Sequence, residues 1–293
     1  MKSCVILGAN GWLGKSTLSY IVENYSDCEF TLVSSQDRLL NFKDKEFKII
    51  SFEKFLKIEN KEVDVFFNYA FLTGNRVKNY SNSRYLSETE KLIEGANQFI
   101  NKNMISKVLL SSSGAIYNNG TKKENVYSLQ KKKQEEELLK NCSSSNTIFL
   151  IARIFGLFAN YYNVEYEYAF SSFIEQAKNN KSIKIKSEHK VVRSYLVFKY
   201  LLDYFLQLNE SQTIDAWNVK LDIFELAKII CDIFNVDVEL NKSYFKSEFV
   251  DDYSSKDTFF KEIMPLKFSI HQEIEKIIKF SEKASNKVDI FSI

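Results

Sequence analysis

The 293 residues carry 40 Lys plus Arg against 38 Asp plus Glu, and a formal charge of +2 supplies no net field for a polyanion, which speaks against nucleic-acid binding. With 45% apolar and 27% charged residues the chain can bury a core, so disorder is excluded as its main state, and a single proline leaves no Pro-rich linker. Its four cysteines stand far apart in sequence with only two histidines, too few ligands for a structural metal, and are expected as reduced thiols.

In chain order, the first apolar stretch is ended by glycine after a few residues, too short for a signal-peptide core. The longest, residues 147–158, holds Arg153 in its middle and falls short of the roughly 20 residues that span a bilayer. A cytoplasmic protein without a membrane segment is expected. Short apolar runs predict strands at 4–7, 30–33, 47–50, 63–67, 107–110 and 148–151, and segments of helical spacing fall between them at 15–25, 87–101 and 127–139. That alternation predicts an α/β fold, a doubly wound parallel sheet whose strand C-termini line one edge, where ligands bind. Beyond residue 160 the pattern loosens into predicted helices at 168–179, 196–208, 223–234 and 272–280 and a short strand at 183–185. A strand near 215–219 is expected to return to the main sheet. The tail from Ser254 onward is weakly specified at its end.

The first strand runs into Gly8-Ala9-Asn10-Gly11-Trp12-Leu13-Gly14, which takes three of the eight glycines. Gly8 allows a tight turn, Gly11 lets backbone N–H groups approach a pyrophosphate that a helix N-terminus stabilises, and Gly14 lets helix and strand pack closely. After the second strand, Ser34, Ser35 and Arg38 stand where an NAD site places an acid for the ribose 2'-hydroxyl. Hydroxyls and a guanidinium suit a 2'-phosphate, so NADP is preferred over NAD, unless a longer strand makes Asp37 the ribose acid.

Tyr127-Ser128-Leu129-Gln130-Lys131 puts a phenol and an ammonium one helical turn apart on one face. A phenol near pKa 10 is a poor acid or base at neutral pH, and an adjacent cation favours its phenolate, which makes Tyr127 a candidate proton shuttle. Upstream, the strand at 107–110 ends in Ser111-Ser112-Ser113, whose hydroxyls stand at the carboxyl edge of the sheet, and Ser113 can hydrogen-bond a substrate oxygen.

These segments, in this order, resemble the extended short-chain dehydrogenase/reductase family, the NAD-dependent epimerase/dehydratase group that acts on nucleotide sugars. The resemblance implies a Rossmann-like dinucleotide-binding domain at 1–160 and a smaller C-terminal α/β substrate lobe at 161–293. It places Gly8, Asn10, Gly11, Trp12, Leu13 and Gly14 in the cofactor loop and Tyr69 and Ala70 beside the cofactor. It makes Ser113, Tyr127 and Lys131 the catalytic set, with Lys131 also on the cofactor and Ser112 and Ser113 on the substrate. Val192-Arg193-Ser194-Tyr195-Leu196-Val197 is similar to the family segment whose arginine meets the nucleotide diphosphate, so Arg193 is the implied phosphate clamp.

Departures from the family pattern narrow the implied chemistry. Gly114-Ala115 stand where dehydratases carry an Asp-Glu pair and decarboxylating members a glutamate, and no cysteine and histidine pair is present for inversion beside a ketone. A family asparagine is replaced near Tyr85, a second-lobe acid is replaced by Lys199-Tyr200, and the spacing from Ser113 to Tyr127 is short. Hydride transfer at one carbon remains. It is either NADPH-dependent reduction of a keto group, or 4-epimerisation with NAD held bound. A reading of another class is a dinucleotide-binding regulator without turnover. The resemblance also implies a nucleotide-sugar substrate, a role in glycan assembly and a possible homodimer through helices of the first domain.

Overall fold

A computed structural model of the chain describes residues 1–42, 45–73, 80–118, 126–142, 145–162, 168–179 and 182–286. Two compact units emerge, one built from Met1–Arg153 and Leu202–Ile214, the other from Ile154–Leu201 and Asp215–Lys283.

The first unit follows the alternation read from the sequence. In order come β1 (Ser3–Leu7), α1 (Trp12–Asn24), β2 (Glu29–Ser34), β3 (Arg38–Phe42), β4 (Lys45–Ser51), α2 (Phe52–Phe55), β5 (Glu62–Asn68), α3 (Asn82–Lys102), β6 (Met104–Ser113), α4 (Val126–Cys142) and β7 (Ile148–Ile154). The eight-stranded sheet has the order β11-β7-β6-β5-β1-β2-β4-β3, with β11 being Gln212–Ala216. Strands β2, β1, β5 and β6 pair in parallel, as does β4 with β2. Strand order reverses between β1 and β5, which makes their C-terminal ends the crevice of a doubly wound sheet.

The core forms because these strands are apolar on both faces. Phe55, Phe66 and Phe99 are buried and stack, with ring centroids 4.5 Å apart for Phe55 and Phe99 and 5.0 Å for Phe66 and Phe99. Helix α3 starts five residues earlier than its apolar spacing predicts because the Ser81 hydroxyl accepts from the Arg84 N–H and caps it. From β6, Lys107 Nζ donates to the carbonyls of Leu206 and Leu208, at 2.8 and 2.6 Å.

Strand β3 has no counterpart among the predicted strands. Residues 38–42 form the edge of the sheet, antiparallel to β4, with Arg38 opposite Ile49.

The second unit holds β8 (Gly156–Phe158), α5 (Ala169–Asn179), β9 (Ser182–Ile185), β10 (Lys190–Val197), β12 (Val219–Asp222), α7 (Ile223–Phe234), β13 (Asp237–Leu240), β14 (Val250–Tyr253), α8 (Phe259–Ile263) and most of α9 (Ile270–Asn286), with α6 (Phe198–Gln207) leading out of it. Two expectations are corrected here. The helix predicted at 196–208 begins only at Phe198, because Ser194 to Val197 are fully buried in β10 and bonded to β12 and β8. The strand predicted near 215–219 is split. β11 ends at Ala216, and Asn218 turns the chain by accepting from the Val197 N–H at 2.9 Å and donating to the Met264 carbonyl at 2.8 Å, before β12 pairs with β10.

Lys199 and Tyr200, which stand after β10, meet an acid from the far end of the sequence. Glu273 of α9, 1% exposed, accepts from the Tyr200 hydroxyl and the Lys199 ammonium, both at 2.8 Å. The tail beyond residue 286 lies outside the described residues.

Candidate active site

The turn after β1 is built by backbone. Gly8 has φ +91°, a conformation that side chains disfavour, and the N–H groups of Gly8 and Ala9 both donate to the Val33 carbonyl, at 3.0 and 2.9 Å. A Cβ on Gly14 would strike the Gly8 carbonyl oxygen and lie 2.6 Å from Ala9 Cα, so only glycine lets α1 sit this close to β1. A Cβ on Gly8 would reach 3.0 Å from the Ala70 nitrogen across the β1 and β5 strand ends. Helix α1 starts at Trp12 after Gly11, and no side chain caps it. An uncapped helix N-terminus on a glycine turn at the switch point fits the pyrophosphate of a dinucleotide. Tyr69 lies beside this turn, its phenol oxygen accepting from the buried Thr17 hydroxyl at 2.9 Å.

At the end of β2, Ser34 is half-buried and Ser35 exposed. Among the described residues, Arg38 donates to the Gln36 side chain, at 3.5 Å. Asp37 is engaged. Its carboxylate bonds the Lys54 ammonium and accepts from the Ser51 N–H at 2.7 Å, and these partners hold the carboxyl below its usual range. Using Asp37 as a ribose acid would require taking it from Lys54.

The junction of β6 and α4 gathers the titratable groups. Ser113 closes β6 and its hydroxyl accepts from the Ala115 N–H at 3.2 Å. Tyr127 stands half-buried in the first turn of α4, and Lys131 lies one turn on with 4% exposure. The Lys131 ammonium donates to the Ser111 carbonyl at 2.8 Å and to Gln134 Oε1 at 3.0 Å, which places it against β6 two residues before Ser113. Its third partner is the Phe71 ring, 3.9 Å from Nζ to centroid, and the same ring meets Tyr127 edge-on at 5.7 Å. Burial pushes the Lys131 amine down to about 7, opposed in part by the Glu135 carboxylate.

Ser112 does not share the surroundings of Ser113. Alternation along β6 turns it to the other face, where its hydroxyl donates to the buried Glu135 carboxylate. Arg153 of β7 binds the same carboxylate, its Nε at 3.2 Å and Nη2 at 2.8 Å, and extends Nη1 to the Tyr117 hydroxyl at 2.9 Å. The sequence reading missed Glu135, Gln134, Arg153 and Phe71. In α4, Gln130, Lys131, Gln134 and Glu135 are all buried, although residues 131–137 are all charged residues and glutamine. The missed signal was the spacing from Lys131 to Glu135, which repeats the step from Tyr127 to Lys131.

In the second unit, Arg193 Nη2 pairs with the Asp251 carboxylate at 2.8 Å, and Nη1 donates to the carbonyls of Val192 and Asp251, also at 2.8 Å. A diphosphate at Arg193 would compete with Asp251.

Among the described residues no cluster of His, Cys, Asp and Glu could hold a metal ion, and no helix is long and apolar enough to cross a membrane.

The fold recurs in solved structures. UDP-N-acetylglucosamine 4-epimerase of Methanobrevibacter ruminantium, in complex with UDP-N-acetylmuramic acid, is 19% identical over 97% of this chain and 99% of its own, with a TM-score of 0.70. UDP-glucose 4-epimerase of Thermotoga maritima with UDP-glucose is 14% identical over 97% and 99%, at 0.69. The dTDP-glucose 4,6-dehydratase of Bacillus anthracis in complex with NAD is 13% identical over 98% of both chains, at 0.70. No curated protein matches the sequence. The model of the NAD dependent epimerase/dehydratase family matches residues 4–219, from β1 through the start of β12. With that match over the sheet, the glycine turn and the β6–α4 junction, the chain belongs to the NAD-dependent epimerase/dehydratase family, within the extended short-chain dehydrogenases/reductases.

Proposed function

We propose that the protein is an NAD(P)-dependent oxidoreductase that reduces a keto group, at C4, of a nucleotide-linked sugar. The observation that carries this reading is a buried Lys131, one helical turn from Tyr127, whose ammonium reaches the Ser111 carbonyl of the strand that ends in Ser113, in the same unit as a glycine turn that no side chain caps. The solved relatives that bind UDP-N-acetylmuramic acid and UDP-glucose support a nucleotide-sugar substrate. A nicotinamide dinucleotide, when bound, supplies the hydride.

In this reading Gly8, Asn10, Gly11, Trp12, Leu13 and Gly14 receive the pyrophosphate, with Tyr69 and Ala70 beside the cofactor. Ser34, Ser35 and Arg38 meet a 2'-phosphate, because Asp37 of that corner is engaged by Lys54. Ser113 donates a hydrogen bond to the substrate carbonyl oxygen, and Tyr127 gives its proton to the forming alkoxide. Lys131 holds the nicotinamide ribose and, as ammonium, lowers the proton affinity of the Tyr127 phenolate. Arg193 clamps the diphosphate once released by Asp251. Ser112 acts on the substrate only through the β6 backbone, since its hydroxyl is taken by Glu135.

A second reading, 4-epimerisation with NAD retained, is favoured by the 4-epimerases among the solved relatives, one of which, the UDP-glucuronic acid 4-epimerase of Bacillus cereus, holds NAD. Cofactor retention separates the two. The purified protein is denatured, any released dinucleotide identified by mass spectrometry, and NADPH and NADH affinities measured on the emptied protein. An empty site that prefers NADPH supports the reductase. Retained NAD with weak NADPH binding overturns it in favour of the epimerase. Cofactor binding without turnover on a panel of keto-sugar and hydroxy-sugar nucleotides would instead identify a regulator. A homodimer through α3 and α4 belongs to the same proposal, and light scattering that finds only monomer at micromolar concentration removes it.

A further inference from the structure

We propose that Phe71 is the positioning residue of the proton relay, its ring face holding the Lys131 ammonium and the same ring, in perpendicular contact with Tyr127, holding that phenol in place. The inference rests on the oxidoreductase reading for its function, but its physical content does not depend on turnover.

Lys131 and Tyr127 are neighbours on one helix face. Lys131 has two oxygen acceptors, the Ser111 carbonyl and Gln134, both uncharged. An ammonium with three N–H groups and little water needs a third partner, and the Phe71 face, 3.9 Å from Nζ, meets that need. The edge-on contact of the same ring with Tyr127 at 5.7 Å is the arrangement that ring quadrupoles favour. One side chain therefore touches both members of the pair.

Phe71 is itself fixed from both directions along the chain. On one side Ala70 packs on the Gly8 turn, and on the other the Leu72 carbonyl accepts from the hydroxyl of the fully buried Tyr85 of α3, at 2.9 Å. This gives Tyr85, where the family pattern has an asparagine, a physical task. It anchors the loop that carries Phe71.

Among the described residues, two titratable groups stand by Lys131 in this cluster. Glu135 lies one turn on in α4, but its carboxylate is shared with Arg153 of β7 and the Ser112 hydroxyl of β6. Tyr127 lies one turn before it and meets the same Phe71 ring. The loop after β5 contributes the uncharged Phe71 ring, β6 a carbonyl, and α3 the Thr89 hydroxyl, which bonds Gln130. The ring is thus placed to favour the charged form of an amine that burial disfavours.

The test replaces Phe71 with leucine, which fills much of the space and has no π face. The protein carries 13C at the lysine ε-carbon, and the Lys131 resonance is assigned by its absence in Lys131→Met. The expected result is a fall of the Lys131 titration midpoint by about half to one pH unit in Phe71→Leu. Phe71→Tyr, which keeps the ring face, restores the midpoint to within about 0.2 pH unit of the parent. With a turnover assay in hand, the pH profile of kcat moves with the same midpoint while the cofactor Kd stays within about threefold. Phe71→Met is a second apolar replacement, so misfolding of one variant leaves the measurement standing. An unchanged midpoint in folded Phe71→Leu or Phe71→Met overturns the proposal, as does a Phe71→Tyr midpoint that falls as far as leucine's. A parent protein without turnover would sink the oxidoreductase reading alone, because the titration reports on Phe71 independently.

Discussion

The turn between β1 and α1 and the junction between β6 and α4 present opposite solutions to holding a charged ligand. The first has no charged side chain fixed in it. Its positive character comes from backbone N–H groups at the start of a helix, and its shape from three glycines that permit close approach. The second is made of side chains, the buried Lys131, Gln134 and Glu135 and the half-buried Arg153, in which Lys131 is held from β6, Glu135 from β6 and β7, and Gln134 by Lys131 of its own helix. A backbone site is insensitive to pH because amides do not titrate. A side-chain site inherits the desolvation of its members, which is why Lys131 is pushed down to about 7 while the glycine turn has nothing to shift.

Four substitutions sharpen that contrast, in falling order of effect. Tyr127→Phe removes the proton donor and leaves the glycine turn untouched. In the proposed reaction kcat falls by about 10² to 10⁴ with cofactor affinity unchanged, and steady-state kinetics beside cofactor titration reads both. Gly14→Ala does the reverse. Its methyl meets the Gly8 carbonyl and Ala9, the turn must open, and cofactor affinity drops by about tenfold or more in equilibrium titration, without any change in the pH profile.

The third concerns stability. Lys131 binds its proton less readily in the folded chain than in the unfolded one, so between about pH 7 and about 10 the unfolded state holds more protons and this group makes stability rise with pH. Lys131→Met removes that contribution. Denaturant midpoints at pH 7 and pH 9 are expected to show a smaller gain, or a larger loss, for the variant than for the parent. Equal pH dependence would mean that Lys131 is not desolvated. The smallest effect is at the β2 corner. Arg38→Ala weakens NADPH binding by about tenfold and leaves NADH binding alone, which isothermal titration with both cofactors checks.

The two regions also differ in what a reader of the sequence can extract. Gly8, Gly11 and Gly14 are legible because their task is local, a turn and a close approach set by a dozen consecutive residues. The central strands are legible for the same reason, their apolar runs being continuous. The β6–α4 junction is half legible. Tyr127 and Lys131 declare themselves by spacing, but the run from Lys131 to Glu137 looks like a solvated helix face until Ser112 and Arg153, from two other strands, are brought to Glu135. Arg153 reads from sequence only as an interruption of an apolar stretch. Phe71 follows an apolar strand, and nothing in its local sequence singles it out. Its meaning lies in what it touches across 60 residues of sequence. The hairpin strand β3 and the break at Asn218 were hidden because hydrogen bonds to distant partners, not local pattern, decide them.

The chain does not keep its two units in separate stretches of sequence. It leaves the first after Arg153, comes back at Leu202 to add β11 beside β7, and leaves again after Ile214. Lys107 finds its acceptors at Leu206 and Leu208 on that return. A gene fragment cut after the first passage would encode a sheet short of an edge strand and a lysine without its carbonyls. New specificity in such an architecture cannot readily arise by appending a foreign lobe to a finished first one; it has to come through point changes and loop insertions within an uninterrupted reading frame.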